Sequence, residues 1–159
     1  MPLTMSDLTV HLSDADQAGL LEDWRWLVAA HRLPVLVTAL GHVFLHDQED
    51  GTMHLLDADA GTLDCVAGSA DEFRAGLAER EFVMAYFPVG EVSGLQEAGR
   101  ALAAGQVWSY ATPLVLGGER LPDNLQATSL LAHFSTLGMI HEQVRHLPAG
   151  TRIADVSLG

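Results

Sequence analysis

The sequence predicts an α+β domain, with helices packed on a mainly antiparallel sheet. Three observations carry that expectation. Short strand-like runs follow one another between residues 35 and 67 through tight polar turns, which favours antiparallel pairing. Apolar residues at helical spacing lie on both sides of those runs. No repeat, low-complexity tract or Pro/Ser-rich linker interrupts the 159 residues, so a single domain is expected over 1–159, with a short lead over 1–17.

The first helix is expected over residues 18–30, where Leu20, Leu21, Trp24, Leu27 and Val28 recur at the spacing of one apolar face. Asp14 or Asp16 is placed to cap its start. Trp24 and Trp26 fall about 200° apart on such a helix, so one faces the core and the other lies nearer solvent. Pro34 ends any helical continuation.

A β-meander follows. Residues 35–40 form an apolar run, and Gly41 turns the chain into residues 42–47, where Val43 and Leu45 alternate with His42, Phe44 and His46. Gln48-Glu49-Asp50-Gly51 reads as a polar hairpin tip. Residues 52–57 return, 58–61 turn again, and 62–67 form the next strand.

Ser69-Ala70-Asp71-Glu72 is a capping box that opens a second helix carrying Phe73 and Leu77. Residues 81–87 read as a further helical turn stopped by Pro88. A third helix is expected over 91–104, buried through Val92, Leu95, Ala98 and Leu102, with Gly105 at its end. Residues 106–110 and 114–116 read as strands separated by Pro113, and Gly117-Gly118 breaks the pattern as a tight turn. Leu130, Phe134, Leu137, His141 and Val144 mark a long last helix, capped by Thr128 or Ser129 and ended before Pro148.

Charge is the most telling feature for function. The chain has a net charge of −13, and all of it lies on residues 1–99; residues 100–159 are neutral. The densest window, Asp47 to Glu72, holds eight carboxylates and no arginine, and the chain has no lysine at all. That balance argues against nucleic acid, whose phosphates need clustered cations, and against anionic membrane surfaces. No apolar run is long enough to span a bilayer. The first residues lack the basic and apolar regions of a signal peptide, and a single cysteine suits a reducing compartment, so a cytoplasmic location is expected.

Catalytic signatures are absent: there is no Gly-x-Ser-x-Gly, His-Glu-x-x-His, phosphate-binding glycine loop or dinucleotide fingerprint. No cofactor and no catalytic residue is expected. Asp57-Ala58-Asp59-Ala60-Gly61 lacks the twelfth-position glutamate of a calcium loop and reads instead as an Asx turn. Cys65, in an apolar context, is expected to be a buried structural thiol. The eight histidines raise a metal alternative at His42, His46 and His54. A three- or five-residue turn sets His46 opposite His54, whereas a four-residue loop sets it opposite Met53.

Binding chemistry fits better. Asp47, Glu49, Asp50, Asp57 and Asp59 are the expected partner contacts, on two turns brought to one edge of the sheet. Trp26 and Trp108 are the aromatic anchor candidates beside them, and either serves equally as the anchor of a homodimer.

The residues then resemble a known family. Thr38-Ala39-Leu40-Gly41-His42-Val43-Phe44 and Leu55-Leu56-Asp57 with Gly61 look like its first sheet. Gln106-Val107-Trp108-Ser109-Tyr110, followed by Pro113-Leu114-Val115-Leu116-Gly117-Gly118, is similar to its most specific motif. Pro122-Asp123-Asn124-Leu125, His133-Phe134 and Gly138-Met139-Ile140-His141 complete it. Together these resemble the C-terminal domain of type VI secretion immunity proteins that neutralise a DNase effector, over a core of about residues 20–150. The resemblance implies a non-enzymatic immunity partner. Its effector would be a basic protein such as a nuclease, occluded by carboxylates set where that enzyme expects phosphate. The alternative is a small-molecule or metal-binding regulatory domain.

Overall fold

The computed structural model describes residues 3–147. Its centre is a five-stranded antiparallel sheet in sequential order, from β1 (Thr9–Val10) through β2 (Arg32–Thr38), β3 (Val43–Asp47) and β4 (Met53–Asp57) to β5 (Thr62–Ala67). A second pair, β6 (Gln106–Tyr110) and β7 (Leu125–Ser129), lies beside it. The Trp108 amide joins the two by donating to the Ala39 carbonyl at 2.7 Å. Around the sheets are α1 (Met5–Leu8), α2 (Asp14–Gly19), α3 (Ala70–Gly76), α4 (Arg80–Tyr86), α5 (Val89–Glu97) and α6 (Leu130–Val144). This is the expected α+β arrangement.

Both faces of the large sheet are covered, which explains why Phe44 is as buried as its neighbours. On one face Val37, Val43, Leu45 and Leu56 pack against Leu130, Phe134 and Leu137 of α6, together with Leu20, Leu21 and Trp24. On the other, Phe44 and Met53 pack against Phe73 of α3, Phe87, and Val92 and Leu95 of α5. Alternate residues of one strand therefore feed two different cores.

The meander matches the expected strands closely, with β5 on the expected residues and Gly51 at φ 77 in the hairpin tip. Ser69 caps α3 by accepting from the Glu72 amide at 3.0 Å, while Glu72 accepts from the Gly68 amide at 2.8 Å. Helix α4 stops before Pro88 as anticipated.

Four elements differ from expectation. The helix expected over 18–30 is instead α2, capped by Ser13 rather than by Asp14 or Asp16, then a 3-10 turn at Glu22–Trp24. Gly19 is still helical at the end of α2, and the break comes at Leu21, whose φ of −105 and ψ of 12 leave the helical range. The chain there follows the Trp24 indole, which donates to the Phe134 carbonyl at 2.8 Å.

Helix α5 ends at Glu97, not at 104. Gly99 takes φ 74, and the Arg100 and Gly99 amides donate to the Leu95 and Gln96 carbonyls, the paired bonds of a Schellman end. Residues 114–116 form a 3-10 turn, and the strand that pairs with β6 is β7, which the sequence pattern does not announce. Cys65 is exposed, because β5 is the outermost strand. The expected helix stop at Pro148 lies outside the described residues.

Candidate partner-binding surface

Successive turns of an antiparallel meander alternate between the two ends of the sheet. The 48–51 tip joins β3 to β4, and the 58–61 turn joins β4 to β5, so they sit at opposite ends of β4. The expectation that both turns share one edge is therefore corrected, and the two acidic groups are separate sites.

At the first end, Asp47 is 2% exposed. Its Oδ1 accepts from the Glu49 amide at 2.8 Å and the Asp50 amide at 3.1 Å. Its Oδ2 lies 3.0 Å from Arg32 Nε and 3.2 Å from His31 Nε2. Burial pushes this carboxyl up, but the Arg32 hydrogen bond, the two backbone N–H groups and His31 outweigh it and hold it well below the usual carboxylate range. Asp47 is thus the internal anchor of the tip. Glu49 and Asp50 remain exposed. Asp50 accepts from the Thr52 hydroxyl at 2.6 Å and the Thr52 amide at 2.9 Å, which lowers its pKa.

At the second end, Asp57 Oδ1 accepts from the Asp59 and Ala60 amides at 3.0 and 2.9 Å, the expected Asx turn. The His42 ring lies between two carboxylates. Its Nδ1 is 3.2 Å from the Ala58 amide, which donates to it, and 3.3 Å from Asp57 Oδ1; its Nε2 is 3.5 Å from Asp59 Oδ2. Asp59 is buried, and that burial, opposed by His42 and Arg120 and reinforced by Asp57, pushes its pKa up to about 6. Like Asp47, Asp59 is a buried group.

Two histidines of α6 hold this end of the sheet. His133 bridges the Gly41 carbonyl at 2.9 Å and the Ser109 hydroxyl at 2.7 Å. His141 Nε2 donates to the Ala58 carbonyl at 3.0 Å and the Asp59 carbonyl at 3.2 Å. Burial lowers both imidazoles, His133 to about 4. The sequence signal for them was a pair of histidines on the apolar stripe of α6, where each needs a buried polar partner.

The hairpin register decides the histidine alternative. His46 pairs with Met53, and His54 pairs with Leu45. Cross-strand partners share a face, so His46 and His54 point to opposite faces, and the three imidazoles His42, His46 and His54 do not converge. His54 is occupied by the Thr52 hydroxyl at 2.7 Å. Two other groups, His31–Asp47–Glu49 and His42–Asp57–Asp59, have ligand atoms within 4.8 Å of one another. In the first, Arg32 and backbone amides already hold the Asp47 oxygens. In the second, the carboxylates face different nitrogens of one ring, and Nδ1 already accepts from the Ala58 amide.

Both tryptophans expected as anchors make contacts within the chain. Trp26 stacks on Trp24 with ring centroids 5.6 Å apart, donates to the Asp23 and Gly138 carbonyls, and carries Arg145 over its ring. Trp108 is 5% exposed and forms part of the floor of a cleft of about 650 Å³ between the N-terminal segment and α5. The Arg100 guanidinium lies over it at 4.8 Å and donates to the Pro122 and Leu125 carbonyls.

No helix among the described residues is long and apolar enough to cross a membrane. A comparison with curated proteins finds none that matches. Residues 67–141, which carry α3 to α5, the β6–β7 pair and α6 as far as His141, match the family described as T6SS immunity protein Tdi1, C-terminal, and this is the family the sequence resembles.

Proposed function

We propose that the protein is a non-enzymatic immunity partner that binds and occludes a basic toxin effector, such as a nuclease. The observation that carries this reading is the match of residues 67–141 to an immunity-protein family. Charge supports it. The acidic window from Asp47 to Glu72 lies outside that match apart from its last residues, on the meander that α3 to α6 pack against.

Within the window, Glu49, Asp50, Asp64, Asp71 and Glu72 are exposed and Asp57 is half-buried. Asp71 is paired to Arg74, so Glu49, Asp50, Asp57, Asp64 and Glu72 remain to meet a cationic surface, whereas Asp47 is spent on its own turn and Asp59 is buried against His42. An interface of this kind gains association rate from its field and loses it as salt rises, because exposed charges are screened beyond about 8–10 Å.

The test is capture from a lysate of the source organism at low and high salt, followed by co-expression of each retained protein with and without this chain. A basic protein that elutes with salt, arrests growth alone and is tolerated when this chain is present supports the reading. Retention of no toxic protein at either salt overturns it.

A further inference from the structure

The outer edge of β5 has no strand partner among the described residues. In the sheet order β5 neighbours only β4, and this holds over its six residues, about 20 Å of chain. Thr62, Asp64 and Cys65 are exposed along it, and Leu63 and Val66 are half-buried. An open edge normally invites a second copy of the same chain to pair with it.

Here the charge opposes self-pairing. Asp57 precedes the strand, Asp64 lies within it and Glu72 follows it, while Asp71 is paired to Arg74, the first arginine beyond. A second copy would bring the same carboxylates against these, and each chain carries a net charge of −13. The same row attracts an extended segment rich in arginine or lysine. Such a segment gains main-chain hydrogen bonds from the edge, charge pairing from Asp64 and its flanks, and apolar contact with Leu63 and Val66. The edge therefore selects by charge among chains that are able to add a strand.

We infer that the β5 edge is the docking surface for the partner, which adds a basic extended segment to the sheet as a sixth strand. This rests on the immunity reading and names the surface that reading would use.

The experiment uses the full chain and a blocked synthetic octapeptide of alternating arginine and valine, with a version carrying proline at two valine positions. Amide hydrogen exchange reports backbone pairing, and alkylation of Cys65, the only cysteine in the chain, reports coverage of the edge. The expected result is exchange on β5 slowed by at least about tenfold and slower Cys65 alkylation, both lost with the proline peptide and with Asp64→Arg.

Equal protection by the proline peptide would reduce the effect to charge alone and overturn strand addition. Protection at the 48–51 tip instead, or none anywhere, overturns the β5 assignment. So does a native chain whose Cys65 is already shielded by its own residues 148–159. None of these outcomes touches the immunity reading, which stands or falls on effector capture.

Discussion

His133 and Gly41 are a fitted pair. The imidazole Nε2 lies 2.9 Å from the Gly41 carbonyl, and a Cβ at position 41 would fall 2.1 Å from that same nitrogen. Gly41 also takes φ 74, which disfavours an L side chain independently of the contact. His141 repeats the arrangement at Gly61, where a Cβ would meet its ring at 2.5 Å. Two turns of the sheet are thus each closed by one histidine of α6.

Substitution of either glycine by alanine should therefore be severe. Gly41→Ala combines left-handed strain of about 1 kcal/mol with displacement of a buried, doubly bonded histidine, and is expected to cost at least about 3 kcal/mol. Gly51→Ala is the control. It has a similar φ of 77 but open space around the added Cβ, so only the strain of about 1 kcal/mol is expected. Urea denaturation of the three proteins checks the ordering.

Asp59 and His133 set opposing pH slopes. Asp59 rises to about 6 in the folded state from 3.8, so its contribution is present below pH 3.8 and is lost as pH rises through 6. His133 falls to about 4 from 6.5, so its contribution is present above pH 6.5 and is lost as pH falls toward 4. Each amounts to about 3 kcal/mol, and between pH 4 and 6 they largely cancel. Asp59→Asn is expected to raise stability at pH 7–8 and to expose a steep loss below pH 6.5. Denaturation midpoints measured from pH 4 to 8 should fall toward acid more steeply in the variant than in the parent, the lowered His54 and His141 adding the same acid-side slope to both.

Reversal of the acidic tip separates structure from binding. Asp47→Arg sets a second guanidinium against Arg32 and removes the acceptor of the Glu49 and Asp50 amides, so a marked fall in Tm is expected. Glu49→Arg with Asp50→Arg alters exposed side chains and gives up the Thr52 bonds to Asp50, and should lower Tm less than Asp47→Arg. If the partner docks on β5, this double variant slows association modestly, through the long-range field. Asp64→Arg should slow it more, because that charge lies in the contact. Stopped-flow association with the captured effector at two salt concentrations ranks them.

Much of the fold was legible where side-chain period and turn chemistry act locally. The meander, the Ser69 cap and β6 follow from alternation, Asp/Gly turns and a capping box. Elements decided by distant contacts were not legible. The 18–30 segment has a helical pattern, yet Trp24 reaches the Phe134 carbonyl 110 residues away, and the chain bends to allow it. β7 carries one buried apolar residue, Leu125, among exposed Gln126, Ala127 and Ser129, so its pairing with β6 left no period to read. Charge showed which part of the chain is acidic, but not that Arg32 and His42 would draw Asp47 and Asp59 inward. Sequence counts carboxylates without showing which are spent on the protein's own turns.

Trp26 supplies the remaining test of interior against interface. Its indole donates to the Gly138 carbonyl at 3.2 Å, one face stacks on Trp24, and the Arg145 guanidinium lies over the ring at 4.8 Å. An anchor reserved for a partner would leave its polar atom and one face free in the unbound chain. Trp26→Ala is therefore expected to cost about 2–4 kcal/mol of stability, slightly less than a wholly buried tryptophan because Trp26 is half-buried. Trp26→Phe keeps the stack and loses the hydrogen bonds, and should cost about 1–2 kcal/mol. Loss of near-ultraviolet ellipticity from the Trp24–Trp26 stack in Trp26→Ala, measured alongside urea denaturation, identifies the stack as the origin. A Trp26→Ala protein of parental stability that no longer captures effector would place this ring in the interface instead.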